Sequence, residues 1–179
     1  AGDKVCLSLV TGSGGASYVD QTITALFAAT SDTVCHWFAQ GAANVSDNTQ
    51  RYGSWGRDLT VTGTEANFQF KVRAAGTLKN LGVQVTSNLR DGAVTIRSRK
   101  NTANGGMTVS ITALTSGFFE DTSNSDTLAV DDIVDWSILG SGTIGTCAVV
   151  QVWAEFASTE SKVQYVGAVT TFIGAGSTS

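Results

Sequence analysis

Residues 93–111 decide the fold: Ala93-Val94-Thr95-Ile96-Arg97-Ser98-Arg99-Lys100-Asn101-Thr102-Ala103-Asn104-Gly105-Gly106-Met107-Thr108-Val109-Ser110-Ile111. Val94 and Ile96 alternate with Thr95 and Arg97, and Met107, Val109 and Ile111 alternate with Thr108 and Ser110. That period of two puts one greasy face on each strand. Asn104-Gly105-Gly106 between them reads as the turn of a hairpin. The period extends in both directions. Phe68, Phe70 and Val72 alternate with Asn67, Gln69 and Lys71, and Leu81, Val83 and Val85 with Gly82, Gln84 and Thr86. After the polar stretch Asp121 to Asp126 come Ile133, Val134, Trp136 and Ile138. Past a glycine-rich link, Cys147 to Phe156 suits a central strand, with Val149, Val150 and Val152.

Strands recurring about every ten residues without helical periodicity predict an all-β chain. The expected architecture is an antiparallel β-sandwich of jelly-roll type, because two sheets share one core only through alternating inward faces. The N-terminal segment is less regular. Lys4 to Val10 and Thr33 to Phe38 read as strands, Tyr18 to Ala29 fits helix and strand equally, and Lys162 to Phe172 reads as a last strand. The 179 residues suit one domain in total. Within it, residues 1–64 are expected to form an N-terminal arm and first strands that dock on neighbours, 65–173 the main jelly-roll region, and 174–179 a loose tail.

Hydrophobic residues make up 42% of the chain and charged ones 15%, against roughly a quarter charged in an average soluble protein, which excludes a disordered chain. No apolar run approaches the roughly 18 residues of a membrane span, and no basic leader precedes an apolar stretch. The net charge of −4 argues against nucleic acid as a partner. With no proline, sheet edges are left to bulges, charges or a partner chain. Lys71, Arg73, Lys79, Arg90, Arg97, Arg99 and Lys100 form a basic block, followed by the acids Glu120, Asp121, Asp126, Asp131, Asp132 and Asp135. Two readings are open: pairing within one subunit, or electrostatic registration between copies.

The chain offers little chemistry. Cys6, Cys35 and Cys147 have no CxxC spacing and draw no zinc site; free buried thiols and a bridge both remain open. Cys35 and His36 point to opposite faces of a strand, so they form no dyad. Gly140, Gly142 and Gly145 match a GxGxxG string, but Thr146 to Phe156 reads as strand where a dinucleotide site needs a helix. Asp121 and Asp126 flank Asn124 in what reads either as a solvated turn or as oxygen ligands for calcium. A hydrolase would require a pocket joining at least two of Asp121, Asp126 and Asp135. No catalytic residue, cofactor or metal is expected.

In the loop Gln50 to Asp58, Tyr52 and Trp55 stand among Gly53, Gly56, Arg51 and Arg57, where tight turns would push the rings outward. They would pack against a neighbouring subunit or under the end of the sandwich, or stack on a sugar with Arg51, Arg57 or Asp58 bonding its hydroxyls.

One resemblance is carried by Gly76-Thr77-Leu78-Lys79-Asn80-Leu81, Ala93 to Asn101, Met107 to Ile111, Thr115-Ser116-Gly117-Phe118-Phe119-Glu120-Asp121-Thr122 and Leu128-Ala129-Val130-Asp131-Asp132-Ile133-Val134. From Glu65 to Phe156 the order of these features resembles jelly-roll structural proteins of tailed phages and related viruses, of the trimeric kind compared with tumour-necrosis-factor and C1q heads. In such proteins an Ala-Gly-Asp turn precedes the strand that Ile133 begins, and here Asp131 takes the glycine's place. The resemblance implies a non-enzymatic virion protein on a capsid surface or in a fibre. Its partners would be itself, as a homotrimer, and a major capsid or other virion protein. The candidate interface residues are Trp37, Tyr52, Trp55, Trp153, Phe156 and Tyr165. The alternative is a lectin-like module for a host surface glycan, with Tyr52, Trp55, Arg57 and Asp58 as candidate contacts.

Overall fold

The computed structural model describes residues 34–159. The expectations on Lys4 to Val10, Tyr18 to Ala29, Lys162 to Phe172, the tail, Cys6 and Tyr165 lie outside them. Across the described residues the alternating stretches form strands β1 (Val34–Val45), β2 (Arg51–Gly53), β3 (Phe70–Lys71), β4 (Gly76–Asn88), β5 (Val94–Lys100), β6 (Ala103–Ile111), β7 (Gly117–Leu128), β8 (Ile133–Gly140) and β9 (Cys147–Ser158), with a short 3-10 turn at Glu65–Asn67. None of the described residues forms a helix long and apolar enough to cross a membrane.

The first sheet has the order β1-β9-β4-β7 and the second β2-β8-β5-β6, with β3 also on β8. All the strand ladders are antiparallel. The chain is an all-β sandwich, and its strand order is compatible with a jelly roll: apart from β2 to β3 and β5 to β6, each connection crosses between sheets. The sandwich begins before residue 65. β1 pairs with β9 from Val34↔Ala157 to Val45↔Cys147, and Trp37, Ala39, Val45, Trp55 and Leu59 share the one core with the later strands. Residue 65 therefore marks no structural break between an arm and a body.

Two local expectations are corrected. The β5–β6 turn is Asn101-Thr102, not Asn104-Gly105-Gly106, because Lys100 pairs with Ala103. Both turn residues have positive φ, 51° and 65°, the geometry of a tight two-residue hairpin turn. The glycines sit inside β6, where a Cβ on Gly105 would lie 2.3 Å from the Ser98 hydroxyl and 2.5 Å from the Asp126 carboxylate. They are small so that a carboxylate from β7 can close over the hairpin. The polar stretch Asp121 to Asp126 is likewise not a loop but part of β7, with the register shifting opposite Lys79 to Leu81. Its polarity fits a strand at the edge of the sheet.

The turn before β8 places Asp131 at φ 70°, the left-handed region glycine favours, and Asp132 accepts from the Ala129 N–H at 2.7 Å to close it.

At the centre of the core Trp136 is fully buried. It needs its neighbour on β2 to be glycine: a Cβ on Gly53, opposite it in the ladder, would come within 2.1 Å of the indole. Gly53→Ala is accordingly expected to lower stability by about 1–3 kcal/mol, read as a fall in the denaturant midpoint with an unchanged slope.

Candidate functional site

The loop singled out for exposed aromatics turns inward. Trp55 is 4% exposed, with its ring centroid 6.5 Å from those of both Trp37 and Trp136. Gly56, at φ 74°, donates its N–H to the Phe38 carbonyl at 2.8 Å, so the loop closes against β1 and carries the indole under the end of the sandwich. Tyr52 is half-buried, its ring 5.4 Å from the Arg99 guanidinium carbon and its hydroxyl accepting from Gln50 at 3.2 Å. Arg57 is exposed, 5.5 Å from the Phe68 ring centroid, and pairs with the half-buried Asp58 at 3.7 Å. The glycan platform expected from Tyr52 and Trp55 is thus not formed, because core burial claims the larger ring.

Three of the candidate interface residues are core for the same reason. Trp37 stacks on Phe156 at 4.7 Å with Phe70 edge-on at 5.2 Å, and Trp37, Trp55 and Phe156 are all buried. Their rings join the two sheets of one chain and are not contact residues of the folded surface. Trp153 is different. It lies on the outer face of the first sheet opposite the exposed Phe38, over Gly82, and is edge-on to the exposed Phe118 at 6.2 Å.

A cavity of about 390 Å³ opens where β1, β3 and the 54–57 loop meet, lined by His36, Phe38, Trp55, Arg57, Phe68 and Phe70 among others. Among the described residues the Trp55 indole nitrogen has no hydrogen-bond partner. Trp55 and Arg57 reach this cavity; Tyr52 and Asp58 do not line it.

The charge blocks meet within the chain. Lys71 and Arg73 approach Asp131 at 3.8 and 3.2 Å, Lys79 approaches Glu155 at 3.8 Å, and Lys100 approaches Asp132 at 3.0 Å. The exposed pairs, those of Lys71 and Arg73 with Asp131, contribute at most about 1 kcal/mol each. Asp126 accepts from Ser98 and, at 2.6 Å, from the Gly106 N–H. Burial works to raise the Asp121 pKa, but the N–H groups of Thr108, Ser123 and Asn124 and the Asn124 amide hold it below the usual range. Both carboxylates thus face donors within the chain. Among the described residues no group of three or more His, Cys, Asp and Glu is placed to hold a metal.

Asp135 lies on β8, on the other sheet from these two, which are on β7. It pairs in the ladder with Arg99. Arg99, 8% exposed, gives its donors to Glu65 at 2.9 Å, Asn104 at 2.5 Å and the Thr102 carbonyl. Asp135 is 1% exposed, and among the described residues its Oδ2 has no hydrogen-bond partner. Burial, reinforced by the Glu65 carboxylate and only partly offset by Arg99, pushes its pKa from 3.8 up to about 7. No sequence pattern marks this cluster, since Glu65 arrives from a 3-10 turn distant in the chain.

Burial disfavours the thiolate at both cysteines among the described residues. Cys35 and Cys147 are free; burial raises the Cys35 pKa and pushes Cys147 up to about 11, with the Arg90 charge pulling weakly the other way. Gly140, Gly142 and Gly145 lead into β9, a strand and not a helix N-terminus.

At one end of the sandwich Arg90, 0% exposed, ties four connections together. It donates to the carbonyls of Ser141 (2.6 Å), Gly145 (3.3 Å) and Val45 (3.5 Å) and to the Asn48 side chain (2.8 Å). Its own carbonyl accepts from the Leu114 N–H at 3.2 Å. Asp91 accepts from the N–H groups of Ile144 (3.0 Å) and Thr143 (2.8 Å), which hold its carboxyl below the ordinary range. Compared with known proteins, the chain matches no family model and no curated protein sequence.

Asp135 makes stability depend on pH. Its folded pKa is raised, so the native state holds the proton more tightly than the unfolded chain. The stability that Asp135 contributes is fully present below about pH 4, is lost as pH rises toward 7, and levels off above it. Asp135→Asn is expected to flatten that slope and to exceed the wild type by a few kcal/mol at pH 8, measured by denaturant melts across the range.

Proposed function

We propose that the chain is a structural protein of a virion. In this reading it is a self-associating sandwich of jelly-roll type that decorates a capsid or forms part of a fibre, acting through buried surface and not through turnover. The observation that carries it is the tied end of the sandwich. Leu89, Leu114 and Ile144 are 67%, 69% and 71% exposed there. They project from the β4–β5, β6–β7 and β8–β9 connections, which are hydrogen-bonded to one another through Leu89 N to Thr146 O, Leu114 N to Arg90 O and Asp91 N to Ile144 O.

Apolar side chains on loose loops lose ordering entropy when they bind, whereas these are already fixed by the Arg90 and Asp91 bonds. Leu114 is even held at φ 59°, a conformation that costs a residue with a side chain roughly 1–2 kcal/mol. Strain that presents a greasy side chain to solvent has no value to an isolated chain and supports a contact surface. The occupant is a second copy of this chain: with 15% charged residues, little of the surface repels a like subunit.

Native mass measurement is expected to give an oligomer, a trimer on this reading. Leu89→Glu with Ile144→Glu should shift it toward monomer by at least about tenfold in dissociation constant, with the unfolding midpoint little changed because both sites are exposed. Leu114→Gly should weaken association while leaving stability equal or higher. A wild-type monomer at high concentration would defeat the proposal.

A further inference from the structure

Of the bases between Lys71 and Lys100, six are engaged inside the chain, as described above. Arg97 is the exception: it is exposed, and among the described residues it makes no hydrogen bond, ion pair or ring contact. It stands in a groove of about 300 Å³ on the outer face of the second sheet, lined by Gln50, Thr95, Arg97, Asn104, Ser137 and Leu139. The register makes this a continuous patch, with Arg97 opposite Ser137 and Thr95 opposite Leu139 across β5 and β8.

We propose that this groove binds a carboxylate-bearing sugar. The neighbouring side chains are oriented by bonds that leave complementary groups over. Asn104 gives its carbonyl oxygen to Arg99 at 2.5 Å, which leaves its amide N–H groups to donate. Gln50 donates its amide to the Tyr52 hydroxyl at 3.2 Å, which leaves its oxygen to accept. Ser137 and Thr95 add hydroxyls, and Leu139, 40% exposed, adds an apolar surface. A planar guanidinium fork matches a carboxylate through two parallel hydrogen bonds. Donors and acceptors side by side match ring hydroxyls, each of which is both, and Leu139 matches the C–H face of the ring.

The sheet itself narrows the class. β5 is laddered on both sides, to β6 and to β8, so its backbone cannot pair with an added strand, and recognition falls to side chains. That disfavours an extended acidic peptide. One guanidinium with no second free cation beside it among the described residues suits a singly charged carboxylate better than a phosphate dianion. The volume lies at the small end for ligand sites, suited to a single ring. The site differs from the loop contacts Tyr52, Trp55, Arg57 and Asp58, and it does not depend on the apolar end.

The test is titration calorimetry of the full chain with glucuronic acid and N-acetylneuraminic acid, and with glucose, acetate, inorganic phosphate and a tetraglutamate peptide as comparisons. At least one acidic sugar is expected to bind with a dissociation constant of about 1 mM or tighter, more weakly at high salt. Arg97→Met should weaken that binding by about tenfold or more, and Asn104→Ala by a few-fold. Arg97→Met should leave both the melting midpoint and the native mass unchanged, so failure of this site is distinguishable from failure of self-association. No binding of either acid up to about 20 mM, glucose or phosphate binding as tightly, tighter binding of the peptide, or an unaffected Arg97→Met variant would each overturn the assignment.

Discussion

The constraint on which the rest of the structure depends is the fit of large rings between two sheets about 10 Å apart. Trp37, Trp55, Trp136 and Phe156 form one buried chain of rings, and each tryptophan is larger than its share of such a gap. The accommodation is made by glycine on the neighbouring strand. A Cβ on Gly53 would strike Trp136 at 2.1 Å and one on Gly76 would strike Phe156 at 2.6 Å. Once Trp136 occupies the centre, β2 must lie close against β8, and the following loop must return across β1 to seal the end with Trp55. Tyr52 and Gln50 then come to rest on the outer face, beside Arg99.

Two buried arginines show how differently the same side chain can be used. Arg90 is surrounded by carbonyl oxygens and one amide oxygen, so its charge is solvated by the protein and becomes the bolt that fixes four connections. Arg99 is matched to Glu65, and that pairing leaves Asp135, directly opposite it, without sufficient compensation. A carboxyl buried beside a second carboxylate and a cation already committed elsewhere is cheapest when protonated. The first arrangement stiffens an end of the sandwich; the second lowers stability at neutral pH in return for holding Tyr52 and Asn104 in place.

The strands were legible because alternation is a direct image of burial. Val94, Ile96, Met107, Val109 and Ile111 are all buried, as their spacing requires. What was not legible came from contacts between distant residues. Gly105 and Gly106 looked like a turn, yet they are glycine because Asp126, about twenty positions later, occupies their side-chain space. Trp55 looked exposed because glycines flanked it, but nothing local reveals that Trp37 and Trp136 wait to receive it. Arg97 and Arg99 share a face and look alike in the sequence. Only the approach of Glu65 separates the engaged cation from the available one.

That separation bears on how a chain with so few charges interacts with anything. Among the described residues most ionic groups are matched internally: lysines on β3 and β5 with the turn before β8, Lys79 with Glu155 on β9, Arg99 with the 3-10 turn. Internal matching shortens the range of the electrostatic field, so recognition must rely on contact and not on steering. The surface then has two distinct means of contact. Rigid apolar tips favour a partner that can bury them, and burial is sequence-tolerant but needs area. A lone guanidinium in a shaped polar groove favours a small anion with matching hydroxyls, where geometry replaces area. The first sits on the connections at one end and the second on the face of the second sheet, so neither would occupy the surface the other uses.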